Sequence, residues 1–304
     1  MPDLKGIIDE VKEIELKGTS IDQVRRKYIK KLAEKRNRNV IIYYSGWLQK
    51  PAVIESSILD TDINGFMSTV HQLDQSLGLD LILHTPGGSL AATENIVNYL
   101  RSIFNCDIVA FIPQIAMSAG TMIACSCKEI YMGKQSSLGP IDPQFSFQGR
   151  QVAARAIIEE VKRGIEEIKK DPTSQIFWAN IFAKYPPTFV GTCEKAIKWS
   201  EEITIDWLKD CMFKDDANAN ELAQNVVNIL SSHEETLSHS RHLSKDRCKE
   251  IGLKILDLEE DQDLQDLVLS VHHSCMLTLE NFNIVKIIEN QNDKAFITRI
   301  SQTS

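Results

Sequence analysis

Long hydrophobic runs are missing from this chain. The one stretch that could imitate a membrane span, Ile108 to Ala124, is interrupted by Pro113, Gln114, Ser118, Gly120 and Thr121. It therefore reads as a buried strand, a loop and a buried helix rather than as a span of about 20 continuous apolar residues. The N-terminus, Met1-Pro2-Asp3-Leu4-Lys5, lacks the basic and apolar regions of a signal peptide, so the expectation is a cytoplasmic chain with no integral membrane segment. Seven cysteines (Cys106, Cys125, Cys127, Cys193, Cys211, Cys248, Cys275) form neither a CxxC pair nor an even-numbered disulfide framework. They read as reduced thiols, with Cys125-Ser126-Cys127 packed in an apolar stretch. HExxH is absent, so His239-Ser240-Arg241-His242 and His272-His273 do not make a zinc site by spacing. Gly133-Lys134-Gln135-Ser136 resembles the end of a phosphate loop, but Lys128 stands where GxxxxGK[ST] requires its first glycine. No GxGxxG follows a strand, so neither ATP, a nicotinamide nor any other cofactor is expected. Positive charge is also short: the formal net charge of −8 supplies no broad field for phosphate, which argues against nucleic acid as a partner.

What is present is an ordinary globular composition, 43% hydrophobic and 25% charged over 304 residues, enough for one large core or a core with a smaller lobe. Residues 3–36 carry Ile7, Ile8, Val11, Ile14 and Leu16 at helical spacing before a basic run through Arg25, Arg26, Lys27 and Lys30, which predicts an N-terminal helical arm over 1–36. From Asn39 the texture changes. Short apolar runs at Val40 to Tyr44, Asp80 to His84, Asp107 to Ile112 and Glu129 to Met132 predict strands, and the segments between them, Asp62 to Leu77 and the stretch with Leu90, Ile96, Val97 and Leu100, predict helices. Repeated β-α-β units with buried strands indicate a parallel sheet covered by helices, with ligands at the carboxyl ends of the strands. Residues 37–175 are assigned to this α/β core. A mostly helical C-terminal part, 176–304, begins after a strong helix over Gln151 to Lys170, includes strand candidates near Lys254 to Leu258 and Ile284 to Ile288, and completes the core or an oligomer interface.

Two strand ends carry the chemistry. Thr85-Pro86-Gly87-Gly88 follows one strand and Ala116-Met117-Ser118-Ala119-Gly120-Thr121 follows the next. Glycines let a turn aim backbone N–H groups at a ligand, and a serine opening a helix sits where free N–H groups favour an anion. Together they could form an oxyanion hole from Gly87 or Gly88 and Ala119 beside an attacking hydroxyl. Taken singly, the first is a common turn and the second a common N-cap.

The ordered blocks His84-Thr85-Pro86-Gly87-Gly88, Ala116 to Ala124 and Leu138-Gly139-Pro140-Ile141-Asp142-Pro143-Gln144 resemble the serine dehydrogenase proteinase family, related to signal peptide peptidase A and more distantly to the Clp peptidase and crotonase fold. The match covers 40–170, with Gly252-Leu253 and Lys286 to Asn290 extending it. The resemblance implies a Clp/crotonase-like core, an ATP-independent serine endopeptidase acting on peptides or proteins through an acyl-enzyme, and a homo-oligomer. It puts Ser118 at the nucleophile position and Gly87, Gly88 and Ala119 at the oxyanion positions.

A serine hydroxyl needs a base. In the Clp peptidase the base lies on the strand after the nucleophile helix, here about Ile141-Asp142, and no histidine occurs between His84 and His233; a Clp-style Ser-His-Asp triad is therefore not expected. Related signal peptide peptidases use a Ser-Lys dyad, and Lys162, 44 residues after Ser118, is close to the family's spacing and is the favoured base. Glu159 and Glu166 are also placed to pair with it on a solvated face. Lys134, Lys169 and His84 are the other candidates, and Asp142, set between two prolines' reach, reads as a turn former. The rival readings are a crotonase-type acyl-CoA enzyme using the same oxyanion hole and a scaffold with a degenerate site.

Overall fold

The computed structural model describes residues 7–8, 21–51, 53–232 and 238–300. Of the expected N-terminal arm, Val11, Ile14 and Leu16 lie outside the described residues. Helix α1 (Ile21–Arg36) leads into β1 (Asn39–Ser45), and α2 (Asp62–Val70) connects it to β2 (Leu79–His84). Next come α3 (Leu90–Phe104), β3 (Ile108–Ile112), the two-residue β4 (Ile115–Ala116), α4 (Ala119–Cys125), β5 (Glu129–Met132) and β6 (Ser137–Leu138). A hairpin of β7 (Gln144–Phe147) and β8 (Arg150–Ala153) opens a helical stretch of α5 (Ala154–Lys170), α6 (Gln175–Phe182), α7 (Phe189–Trp207) and α8 (Ala219–Ser231). The chain closes with β9 (Leu243–Ser244), α9 (Lys245–Glu250), β10 (Ile255–Asp257), α10 (Gln262–Asn281), β11 (Ile284–Asn290) and β12 (Ala295–Arg299).

The main sheet has seven strands in the order β10-β5-β3-β2-β1-β11-β12. Five are parallel; β11 runs antiparallel to β1, and β12 antiparallel to β11. Three of its strands thus come from the last fifty residues. Successive side chains of β1 point to opposite faces. Ile41 and Tyr43 pack with Phe66 of α2, Leu100 of α3 and Met122 of α4, while Val40, Ile42 and Tyr44 pack with Ile29 and Leu32 of α1 and Val268 and Cys275 of α10. Helices on both faces are the reason the strands read as continuous apolar runs.

Two local differences from the sequence reading have plain causes. The helix expected over Asp62 to Leu77 stops at Val70, because Gln72 takes a left-handed φ of 67° and Asp74 turns its carboxylate onto the Ser76 N–H. The helix expected from Gln151 begins at Ala154, since Gln148 and Gly149, with φ of 51° and 75°, make a two-residue turn that pairs Gln144 with Ala153.

Candidate active site

Strands β2 and β3 are parallel neighbours, so the turns that leave their carboxyl ends meet on one side of the sheet. Thr85 N–H donates to Ile115 O at 3.2 Å and Met117 N–H to Thr85 O at 3.0 Å, which ties the Pro86-Gly87-Gly88 turn to the segment before Ser118. The contact is close. A Cβ on Gly87, whose φ is +94°, would stand 2.7 Å from Ser118 Cβ and 3.0 Å from Ala119 N. On the far side, Ile58 N–H donates to Gly87 O at 2.8 Å, and a Cβ on Gly88 would meet Ile58 backbone at 2.4 Å. No side chain larger than hydrogen fits either position without moving main chain.

Ser118 itself is held at φ 53° and ψ −119°, a conformation costing a residue with a Cβ about 1–3 kcal/mol. Its hydroxyl makes no cap hydrogen bond to α4. It is half-buried at the floor of a cleft of about 950 Å³ that the glycine turn, the β7–β8 hairpin, α5, α7 and residues 238–240 enclose. Leu90, Met122, Phe145, Val152 and Trp199 give that cleft apolar walls.

The backbone donors facing this region differ in availability. Gly87 N–H is already given to Thr85 Oγ1 at 3.1 Å, whereas the N–H groups of Gly88 and Ala119 have no hydrogen-bond partner among the described residues.

The Leu138-Gly139-Pro140-Ile141-Asp142 block is fastened beneath the serine. Thr121 Oγ1 donates to Ala116 O at 2.9 Å and accepts from Gly139 N–H at 2.9 Å, and Ile141 N–H donates to Leu230 O of α8 at 3.0 Å. The block delivers a buried carboxylate. Asp142 Oδ1 lies 2.7 Å from His239 Nδ1, and Oδ2 accepts from Gln144 Nε2 at 2.7 Å. A carboxylate only accepts, so Nδ1 of His239 carries the proton and a neutral ring leaves Nε2 as an acceptor. The Asp142 side chain is 2% exposed and the His239 side chain 26%, and His239 lines the same cleft as Ser118.

The residues expected as bases lie elsewhere. Lys162 is exposed on α5 and lines no part of the cleft; it stands six residues, about 9 Å along the helix axis, beyond Ala156, which does. Lys134 is exposed next to Glu259, and Lys169 is exposed and paired with Glu166 at 2.8 Å. His84 is buried away from the cleft, with Nδ1 3.2 Å from Ser45 O, Nε2 2.9 Å from Gln114 Oε1 and its ring stacked on Tyr44; burial pulls its pKa down to about 4. His272 packs 5.5 Å from His84 on that same buried side, ring centre to ring centre. Asp142, which by sequence reads as a turn former, is instead the partner of His239, a residue whose sequence neighbourhood suggests only a metal ligand. The local signal for it was faint: Ser238-His239-Ser240 is a histidine among small polar residues, with nothing to say which carboxylate it meets. Among the described residues no group of three or more His, Cys, Asp or Glu side chains could hold a metal ion, and no described helix is long and apolar enough to cross a membrane.

A strained serine at a strand-to-helix turn, backbone N–H groups without partners beside it and a carboxylate-bound histidine on the same cleft are thus gathered at one end of the α/β sheet. The chain belongs to the ClpP-like SDH-type serine proteinase family, whose model matches residues 12–278. Two relatives from Methanocaldococcus jannaschii are uncharacterized proteins. MJ1495 is 29% identical over 64% of this chain and 57% of its own length; MJ0137 is 27% identical over 76% and 73%. The chain thus spans little more than half of MJ1495. Among solved structures, a mutant of the 1510-N membrane-bound stomatin-specific protease aligns over 69% of this chain and 79% of its own, at 15% identity and a TM-score of 0.40.

Proposed function

We propose that this chain is a serine peptidase in which Ser118 is the nucleophile, His239 the general base and Asp142 the group that orients His239. The observation that carries the reading is the 2.7 Å contact between Asp142 Oδ1 and His239 Nδ1 on the wall of the cleft that holds Ser118. Membership of a serine proteinase family supports a peptide as the substrate. Ser118 Oγ attacks the scissile carbonyl carbon while His239 Nε2 takes its proton, and Asp142 stabilises the imidazolium that forms. The negative charge that develops on the carbonyl oxygen is met by the N–H groups of Gly88 and Ala119, while Gly87 shapes the turn. His239 then protonates the leaving amine, an acyl-enzyme remains on Ser118, and water attacking under the same base releases it.

A dyad of Ser118 with Lys162 has less support, because the lysine would have to travel from an exposed face of α5. A crotonase-type acyl-CoA enzyme would leave the strained Ser118 and the Asp142–His239 pair without a task. Active-site labelling with a fluorophosphonate separates these readings. Ser118→Ala is expected to abolish labelling, His239→Ala to slow it by roughly 10³–10⁴-fold, and Lys162→Arg to leave it unchanged. Normal labelling of His239→Ala together with loss in Lys162→Arg would return the base to Lys162.

A further inference from the structure

Of the seven cysteines, six are buried and Cys106 alone is partly open. It sits in the turn between α3 and β3, against the turn of π-helix over Leu208–Met212 that ends α7. The two segments exchange thiol contacts. Cys106 Sγ donates to Asp210 O at 3.3 Å, and Cys211 Sγ donates to Cys106 O at 3.5 Å, so each sulfur lies against the backbone that carries the other. Arg101 Nη2 donates to Cys106 Sγ at 3.4 Å and puts positive charge beside it, the electropositive, partly exposed setting in which cysteines react. Cys211 is buried, and its thiol is pushed up first by that burial and then by the neighbouring Cys106.

We propose that Cys106 and Cys211 form a redox modification site, at which a peroxide oxidises Cys106 and Cys211 resolves the product as an intramolecular disulfide. In the first step Cys106 sulfur attacks one peroxide oxygen. An S–O bond forms, the O–O bond breaks, Cys106 becomes a sulfenic acid and the peroxide leaves as water, or as an alcohol if it is organic. In the second step Cys211 sulfur attacks Cys106 sulfur; the S–S bond forms, the S–O bond breaks, and the departing hydroxyl leaves with the Cys211 proton as water. A dithiol reductant reverses the change. Partial exposure of Cys106 admits the oxidant, and burial of Cys211 keeps the resolving thiol from being oxidised in its place.

The bond would fasten the helical cover to the core. Helix α7 places Trp199 on the cleft wall and is tied to α3 there by Trp199 Nε1 donating to Glu94 Oε2 at 3.1 Å. A disulfide at the far end of α7 pins the same two helices at a second point. The site does not rest on the peptidase reading, and its test needs no substrate.

The full chain is treated with hydrogen peroxide, its remaining thiols are blocked with an alkylating reagent, and its peptides are mapped by mass spectrometry without reduction. The expected product is a Cys106 peptide linked to a Cys211 peptide, lighter by two hydrogen atoms and separated by dithiothreitol. Cys106→Ser should remove the link, and Cys211→Ser should leave Cys106 as a sulfenic acid that dimedone traps. A link from Cys106 to Cys127, over-oxidation of Cys106 without any link, or no oxidation of Cys106 in the unmodified chain would each overturn the assignment.

Discussion

Two buried carboxylates, one behind the glycine turn and one in front of it, are paired with cationic or basic side chains in opposite ways. Behind the turn, Asp62 is closed on every side. Lys286 Nζ donates to both its oxygens at 2.7 and 2.8 Å, Tyr43 Oη and Leu59 N–H donate to Oδ2, and both charged side chains are only 1% exposed. Lys286 also donates to Ser57 O at 2.7 Å, so the pair fixes the segment in which Ile58 braces Gly87 and Gly88. Burial lowers the affinity of Lys286 for its proton, with Asp62 opposing. In front of the turn, Asp142 is equally buried, yet its partner His239 keeps one nitrogen uncommitted on the cleft. The difference teaches how to tell scaffold from chemistry: a buried charge whose partners are all spent holds the fold, and one whose partner opens into a cavity has a free valence to use.

The largest effect that would break this comparison is on catalysis. Asp142→Asn is expected to lower kcat/KM by on the order of 10⁴-fold, because the amide no longer enforces the tautomer that leaves Nε2 free. Measured beside it, the thermal midpoint should fall far less than in Asp62→Asn. Equal losses of activity and stability at Asp142 would make that pair structural too. Next in size, Asp62→Asn or Lys286→Met should cost about 3–5 kcal/mol of stability in urea titrations, since each strands an unpaired partner in the interior. Joint replacement by apolar residues of similar volume should cost less than either single change.

A third effect belongs to the buried face behind the sheet. His84 has a folded pKa of about 4 against about 6.5 in the unfolded chain. Between these values the unfolded chain binds the proton and the folded one does not, so His84 supports full stability above about pH 6.5 and loses it as pH falls toward 4, by about 3 kcal/mol in all. His272, also held well below its ordinary value by burial, acts in the same direction. His84→Gln should flatten the fall in unfolding free energy between pH 6.5 and 4; an unchanged slope would mean that His84 is not the group responsible. The smallest effect has the opposite sign. Ser118→Gly removes the Cβ from a strained backbone and should raise stability by about 1 kcal/mol while abolishing labelling, which would place the stored strain on the catalytic side of the turn.

Local patterns carried much of this molecule. The strands at Val40 to Tyr44, Asp80 to His84 and Asp107 to Ile112 were legible because each is a short apolar run buried on both faces, and Ser118 and the paired glycines were legible because each motif is a few consecutive residues at a strand end. The hairpin over Gln144 to Ala153 was not, since Gln151 and Val152 fit the helical spacing that follows and only pairing with Phe145 and Ser146 makes them a strand. Strand β12 was missed for a related reason: its register depends on β11 beside it.

By itself, then, the sequence determined the α/β core, the two turns at the strand ends and the family, all of which rest on neighbours along the chain. Only the tertiary structure decided which ionisable side chains share the cleft with Ser118. Asp142 and His239 are 97 residues apart, and no periodicity or spacing links them; they meet because the 138–142 block is fastened under Ser118 while the chain, after passing through α5 to α8, returns over the same cleft. Lys162 stands off the cleft by the same physics, because a helix that offers Ala156 to the cleft at its first turn has carried Lys162 out to solvent about two turns later.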